Sequence, residues 1–258
     1  MKLLLATIGG LVGLVGLTAP VPPSPAPARV PVVVELFTSE GCSSCPSADA
    51  TLRELESSQP VAGAEVIALG QHVDYWNRLG WKDQFSDPTY TARQRQYAAR
   101  FGSGSYTPQA VVQGREELVG SRRADLLAAI GRAARAPQAS VRVAGGLGDQ
   151  PLRVRVASLP AGTGPAQVLL FITESGLATQ VSGGENAGAL LRHATVVRSL
   201  QPLGTVAPGG TFEASPTPAL AAGWNHAHLR AVVVVQAERT RQVVGAAVQP
   251  LGGELARQ

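Results

Sequence analysis

The chain has 258 residues, 45% of them hydrophobic and 16% charged, with a formal net charge of +4. That content supports one large core or two modest ones and excludes global disorder. The arginines are scattered among acidic residues and no basic run interleaves with aromatics, so the positive charge marks a solvated surface and argues against nucleic acid as a partner.

The opening stretch MKLLLATIGGLVGLVGLTAP places Lys2 before an apolar run from Leu3 to Leu17, followed by small residues and prolines. This is the pattern of a secretory signal peptide. The run is shorter than the roughly 20 apolar residues of a spanning helix. The small-x-small sequence APA ending at Ala28 is the preferred cleavage point, an uncleaved anchor being the alternative. Residues 1–28 are therefore expected to be removed, and the rest to work in a periplasm or outside the cell, free of the membrane. In that compartment disulfides form and persist.

The Pro-rich stretch up to Arg29 leads into VPVVVELF, which reads as a buried strand. Cys42 follows a short turn. Ala48, Leu52 and Leu55 then recur at helical spacing, so the spacing predicts a helix that opens at the cysteines and ends before Pro60. EVIALGQHV is a second strand, and DYWNRLGWKDQFSDP an irregular aromatic insertion. TYTARQRQYAARFG is a helix stopping at Gly102. Ala110 to Gln113 and REELVGS form a hairpin turning at Gly114, and RADLLAAIGRAARA a last helix closing at Pro137. Strand, helix, strand demands a parallel pair, and the final strand–strand step an antiparallel one. Residues 29–137 are thus expected to form an α/β domain, a mixed sheet with helices on both faces. From 138 to 258 the strand-like runs are broken by Gly and Pro, with only NAGALLRHATVVRSL read as partly helical. This half is expected to be a second, all-β domain, a small sandwich packed on the first.

The chain's two cysteines, Cys42 and Cys45, stand two residues apart in GCSSCP. At a helix N-terminus the partial positive charge and free N–H groups stabilise a thiolate. Cys42 is the candidate nucleophile and Cys45, one turn on, the candidate resolving thiol. A structural staple is disfavoured, because so small a loop yields little loop-closure entropy. A metal reading stays open, with copper or zinc held by the pair and a histidine; His72, at the end of a strand, is the third ligand it would use. No second Cys-x-x-Cys completes a zinc site, so no metal and no prosthetic group are assigned.

This placement resembles the thioredoxin-like proteins on three residue sets: CSSC at a strand-to-helix step, the order of elements, and YTP, Tyr106–Thr107–Pro108, before the third strand. The resemblance implies a cis Thr107–Pro108 bond facing the cysteines, with Tyr106, Thr107 and Pro108 presenting backbone to an extended protein substrate. It also implies a buried acid assisting the resolving cysteine. Glu35 is the matching residue, although the residues alone equally allow a glutamate paired with an arginine. Across Val32 to Pro250, ELFTSEGCSSCP, HVDYWNRLGWKDQFSDPTYTARQRQYA, YTPQAVVQGR, VGSRR and GGENAGALLRHATVVRSL resemble an exported bacterial family of thioredoxin-like fold and uncharacterised function. The chain departs from ordinary thioredoxins in lacking a tryptophan before Cys42, in its Ser-Ser pair and in Pro46, which leaves redox potential and direction open.

Tyr75, Trp76, Trp81 and Phe85 either roof the cysteine site or seal the insertion's own core. GGENAG lacks the Lys-Ser/Thr of a phosphate loop. Glu185, Asn186, His193 and Arg198 either line a docking site or fix a long loop. No G-x-S-x-G supports a hydrolase. The expected function is thiol–disulfide exchange with protein thiols or disulfides of the cell envelope. The competing readings are a copper-binding or delivery module and a non-catalytic binding scaffold.

Overall fold

The computed structural model describes residues 29–146 and 150–252; residues 1–28, which the sequence leads one to expect as a signal peptide, lie outside them. Strand β1 (Val30–Thr38) is followed by α1 (Cys45–Ser58), β2 (Ala64–His72), α2 (Pro88–Phe101), the hairpin β3 (Gln109–Val112) and β4 (Glu116–Val119), and α3 (Arg123–Ala133). β1 runs parallel to β2 and antiparallel to β3, which pairs antiparallel with β4. The alternation of β1 sorts its side chains between two faces. Val32, Val34 and Leu36 pack under α1 and α3, against Leu52, Leu55 and Ile130. Val33 and Phe37 point to the opposite face, where Tyr90 and Tyr97 of α2 cover them. The expected mixed sheet with helices on both faces is present.

The second half follows with β5 (Ser140–Gly145), β6 (Leu152–Ala157), β7 (Ala166–Glu174), β8 (Ala178–Gln180), β9 (Leu190–Arg192), β10 (Val196–Val206), β11 (Phe212–Ala214), β12 (Leu229–Ala237) and β13 (Val243–Pro250). It departs from the expected second domain. β7, β10, β12 and β13 continue the first sheet into one of eight strands, in the order β13-β12-β7-β10-β2-β1-β3-β4. β10 joins β2 in parallel at Val196 and Gly70, and the Gly70 N–H donates to the Thr195 carbonyl at 2.7 Å. A Cβ on residue 70 would lie 2.9 Å from that carbonyl oxygen, so glycine is what lets the strand approach. One apolar cluster crosses the junction, with Val33, Ile67 and Leu69 against Leu169, Phe171 and Val232. Pro137 therefore does not bound the sheet.

The sandwich-like part is confined to one small sheet set against the large one. β11, β6 and β5 form a three-stranded sheet whose inward residues, Leu152, Val154 and Val156, pack on Val168, Leu170 and Val233 of the large sheet. Arg153 and Arg155 alternate outward. The segment expected to be partly helical is β9 and the start of β10. Val196 and Val197 pair there with Glu174 and Thr173 of β7, and tertiary pairing overrides the local helical pattern. Among the described residues no helix is long and apolar enough to cross a membrane.

A buried ion pair fastens the two halves. Arg93 reaches Glu35 through Nε at 2.5 Å and Nη2 at 2.9 Å, and its Nη1 donates to Gln236 Oε1 on β12 at 3.0 Å. Gln71 and Tyr97 also donate to the Glu35 carboxylate. Removing one partner of such a pair leaves an uncompensated buried charge. Arg93→Met should therefore cost about 3–5 kcal/mol in urea unfolding, whereas the same change at exposed Arg132 should leave the midpoint nearly unmoved.

Candidate functional site

The carboxyl ends of parallel strands converge on one edge of the sheet, and β3, running the other way, begins there. The register sets Thr38 beside His72 and Phe37 beside Gln109. The Cys42 turn leaves the end of β1, the aromatic insertion leaves the end of β2, and Pro108 immediately precedes β3. Cys42, His72, Thr107 and Pro108 are gathered by this arrangement of strand ends.

Cys42 and Cys45 form a disulfide, and each is only 1% exposed. Helix α1 begins at Cys45, not Cys42. Cys42 lies in the preceding turn, where its carbonyl accepts from the Cys45 N–H at 3.1 Å. Pro46 in the first helical turn shortens the list of free N–H groups without disturbing the helix. The Cys42 sulfur has two hydroxyl neighbours. Thr107 Oγ1 donates to it at 3.3 Å, and Ser44 Oγ lies at 3.4 Å. The Trp76 indole N–H donates to Thr107 Oγ1 at 2.9 Å and so points the threonine proton at the sulfur. The Thr107–Pro108 bond is cis. Tyr106 is half-buried, and its phenol pKa is pushed up to about 12 by burial and by Glu117.

The insertion both packs and reaches the site. Tyr75 and Trp76 lean on Phe37, Tyr97 and Val111. Trp81 donates to Glu40 Oε2 at 2.7 Å. The GGENAG loop, carried by the β8–β9 hairpin, holds the cysteine turn: Glu185 accepts from the Ser43 N–H at 3.0 Å, and Asn186 Nδ2 donates to the carbonyls of Glu40 at 2.8 Å and Cys42 at 3.0 Å. Arg198 lies apart from this loop, over the rings of Phe85 and Trp224, with Glu174 at 3.6 Å.

Glu35 is placed elsewhere than the relay reading required. It shares the face of β1 with Val33 and Phe37, turned away from α1, and is fully engaged by Arg93, Tyr97 and Gln71. The alternation of the strand, with the acid at an odd position, puts it on the wrong face to serve Cys45. His72 does not join the cysteines as a third ligand. Its Nδ1 is 2.6 Å from Asp83 Oδ2, and the candidate ligand group it belongs to contains Asp49 and His193 but neither sulfur. Burial alone would lower the His72 pKa, but Asp83, with Asp49 and Glu40 behind it, outweighs burial and the net direction is up. Burial raises that of Asp83, and His72 reverses it, so the carboxyl stays ionised.

Reading the chain as a sequence missed Glu40, Asp49 and Asp83, all buried. Asp49 accepts from Thr38 Oγ1 at 2.8 Å and from the Ala194 N–H at 3.2 Å. Asp83 accepts from the Glu40 N–H at 2.8 Å. One signal was available: Asp49 lies one turn after Cys45 and three residues before Leu52, on the helix's apolar face.

The profile of a family described as "Protein of unknown function (DUF1223)" matches residues 33–236. The fold is similar to a crystal structure of a protein from Agrobacterium tumefaciens, at 29% identity and a TM-score of 0.69, over 89% of this chain and 98% of that one. A domain of the outer membrane lipoprotein Omp28 from Porphyromonas gingivalis aligns at only 12% identity and a TM-score of 0.22, over 45% of this chain and 89% of that one. No curated protein matches the chain.

A hydroxyl donated to sulfur stabilises the thiolate over the thiol, and hydrogen bonds to charged groups are the stronger ones. In the reduced protein, Thr107→Val should raise the Cys42 thiol pKa. Alkylation by iodoacetamide at neutral pH should then slow about tenfold, read from the rate against pH.

Proposed function

We propose, for a chain that belongs to the DUF1223 family, that it is an exported thiol–disulfide oxidoreductase built on a thioredoxin-like fold. The observation that carries this reading is the environment of one sulfur. Cys42 stands just before the N-terminus of α1 with the hydroxyls of Thr107 and Ser44 at 3.3 and 3.4 Å. A helix N-terminus and directed hydroxyls are the means by which a protein lowers a thiol pKa. The order β1-α1-β2-α2-β3-β4-α3 supports the fold assignment, and the signal-like residues 1–28 support export to the periplasm or beyond.

In the reducing direction the Cys42 thiolate attacks one sulfur of a substrate disulfide. The substrate S–S bond breaks, a mixed disulfide forms, and the other substrate sulfur leaves as a thiolate that takes up a proton. The Cys45 thiol then loses its proton and attacks Cys42 Sγ. The second substrate thiolate departs, and the Cys42–Cys45 bond closes. Two electrons pass from the pair to the substrate; the oxidising direction is the same sequence reversed. The substrate would be a protein of the cell envelope, its extended backbone lying along Tyr106–Pro108. No prosthetic group takes part. Because each cysteine is only 1% exposed, the substrate must displace contacts around the turn before it can reach the sulfur.

The test is equilibration of the purified protein with glutathione. A reversible couple is expected, near −120 mV for a donor of disulfides or near −270 mV for a reductant. Cys42→Ser should abolish exchange, and Cys45→Ser should accumulate a mixed disulfide with the partner. Full exchange activity in both variants, or the absence of any reversible couple, sinks the reading.

A further inference from the structure

Behind the cysteine turn lies a second cluster that thiol chemistry does not use. Glu40, Asp49 and Asp83 are 1%, 5% and 2% exposed, and His72 and His193 are 1% and 4% exposed. Three carboxylates are thus buried together. Among the described residues no Lys or Arg forms a salt bridge with any of them; their ionic partners are the two imidazoles, His72 for Asp83 and His193 for Glu40. Three acidic side chains therefore meet only two imidazoles. Buried charge left unbalanced is costly, and proteins resolve it by pairing or by binding a cation.

Two atoms here are unsatisfied. The Nδ1 of His72 is taken by Asp83, and its Nε2 is buried with no hydrogen-bond partner. Glu40 Oε1 lies 3.2 Å from His193 Nε2 but makes no hydrogen bond. One ligand atom from each of Asp49, His72 and His193 falls within a mutual distance of 4.8 Å. Glu40, Asp49, His72 and His193, with Thr38 and Pro46, border a cavity of about 10 Å³. That volume admits a single atom-sized guest and no organic ligand.

We propose that His72, His193 and Asp49, with Glu40 beside them, form a buried site for one divalent transition cation of the zinc class. Two imidazoles and a carboxylate are the donor set of zinc and its first-row neighbours, not of magnesium or calcium, which take oxygen ligands. Asp83 plays the supporting part that carboxylates play behind metal-bound histidines: it holds Nδ1 and so turns Nε2 toward the ion. The ligands come from three places, the first turns of α1, the end of β2 and the residues before β10. The ion would tie together both halves of the sheet and the helix that carries Cys45.

The experiment uses the oxidised protein, whose sulfurs are occupied by each other, so its outcome is independent of the redox reading. After chelator treatment the protein is dialysed against Zn²⁺, and in parallel titrated with Co²⁺ to read its visible d–d absorption. One equivalent should be retained, with a band that saturates at one cobalt. His72→Ala and His193→Ala should lose it, and Asp83→Asn should weaken affinity about 10–100-fold. The Cys42→Ser/Cys45→Ser double variant should bind as the parent does. Crystals of the parent protein grown with Zn²⁺ should show an anomalous peak between His72 Nε2, His193 and Asp49, a readout that needs no variant to fold. No stoichiometric retention by the parent protein, a peak elsewhere, or binding that disappears with the cysteines instead of the histidines would overturn the proposal.

Discussion

The approach of β10 to Gly70 is the contact on which the rest of the architecture depends. It is a narrow join, one parallel residue pair and one short hydrogen bond from Gly70 to Thr195. Through it the strands of the second half extend the first sheet to eight. It also brings the residues before β10 to the end of β2, which is why His193 meets His72 with ring centroids 5.1 Å apart. The β8–β9 hairpin hangs from the same segment, so the loop that grips the cysteine turn is positioned by a strand remote from it in sequence. A side chain at position 70 would keep the strands apart.

Two buried polar networks lie on either side of this join, and the sheet keeps them distinct. On the α2 face, Glu35, Arg93, Gln71, Tyr97 and Gln236 are linked by hydrogen bonds that leave only Gln71 Oε1 without a partner, with the Glu35–Arg93 charge balanced and every member drawn from a rigid element. At the strand ends, Glu40, Asp49, Asp83 and the two histidines are drawn largely from turns and loops, and two of their atoms remain unsatisfied. A network built round a paired charge specifies a structure, whereas unpaired ligand atoms beside a small cavity invite a guest. The first holds the fold together, and the second lies against the cysteine turn, the part that chemistry would use.

Much of the first half was legible because its signals are local. Near-continuous β-branched residues mark β1, the spacing of Ala48, Leu52 and Leu55 marks α1, and Gly102 ends α2 where the pattern stops. The cysteine pair and Thr107–Pro108 were found because each is a compact motif. The role of Glu35 was not legible: whether an acid in a strand faces one helix or another depends on register, which spacing from Cys42 does not give. The assignment of residues 138–258 to a second domain had the same cause. Alternation in β6 and the apolar runs of β7 and β12 reveal strands, but nothing in a run of valines names its neighbour, and the pairing of Val196 with Gly70 spans more than a hundred residues. Glu40 and Asp83 were overlooked because loop acids are ordinarily solvated. Only Asp49, on the apolar side of a helix, broke a local rule.

The narrow join also sets an order of events in time. β1 and β2 are complete by His72, yet β2's second neighbour begins at Val196. During synthesis the first half must wait with one side of β2 unpaired, its backbone donors and acceptors available to any strand that arrives first. The same glycine that admits β10 leaves that side bare, without a side chain to discourage a wrong partner. The most exposed moment in the life of this protein is therefore the interval before its own tenth strand emerges.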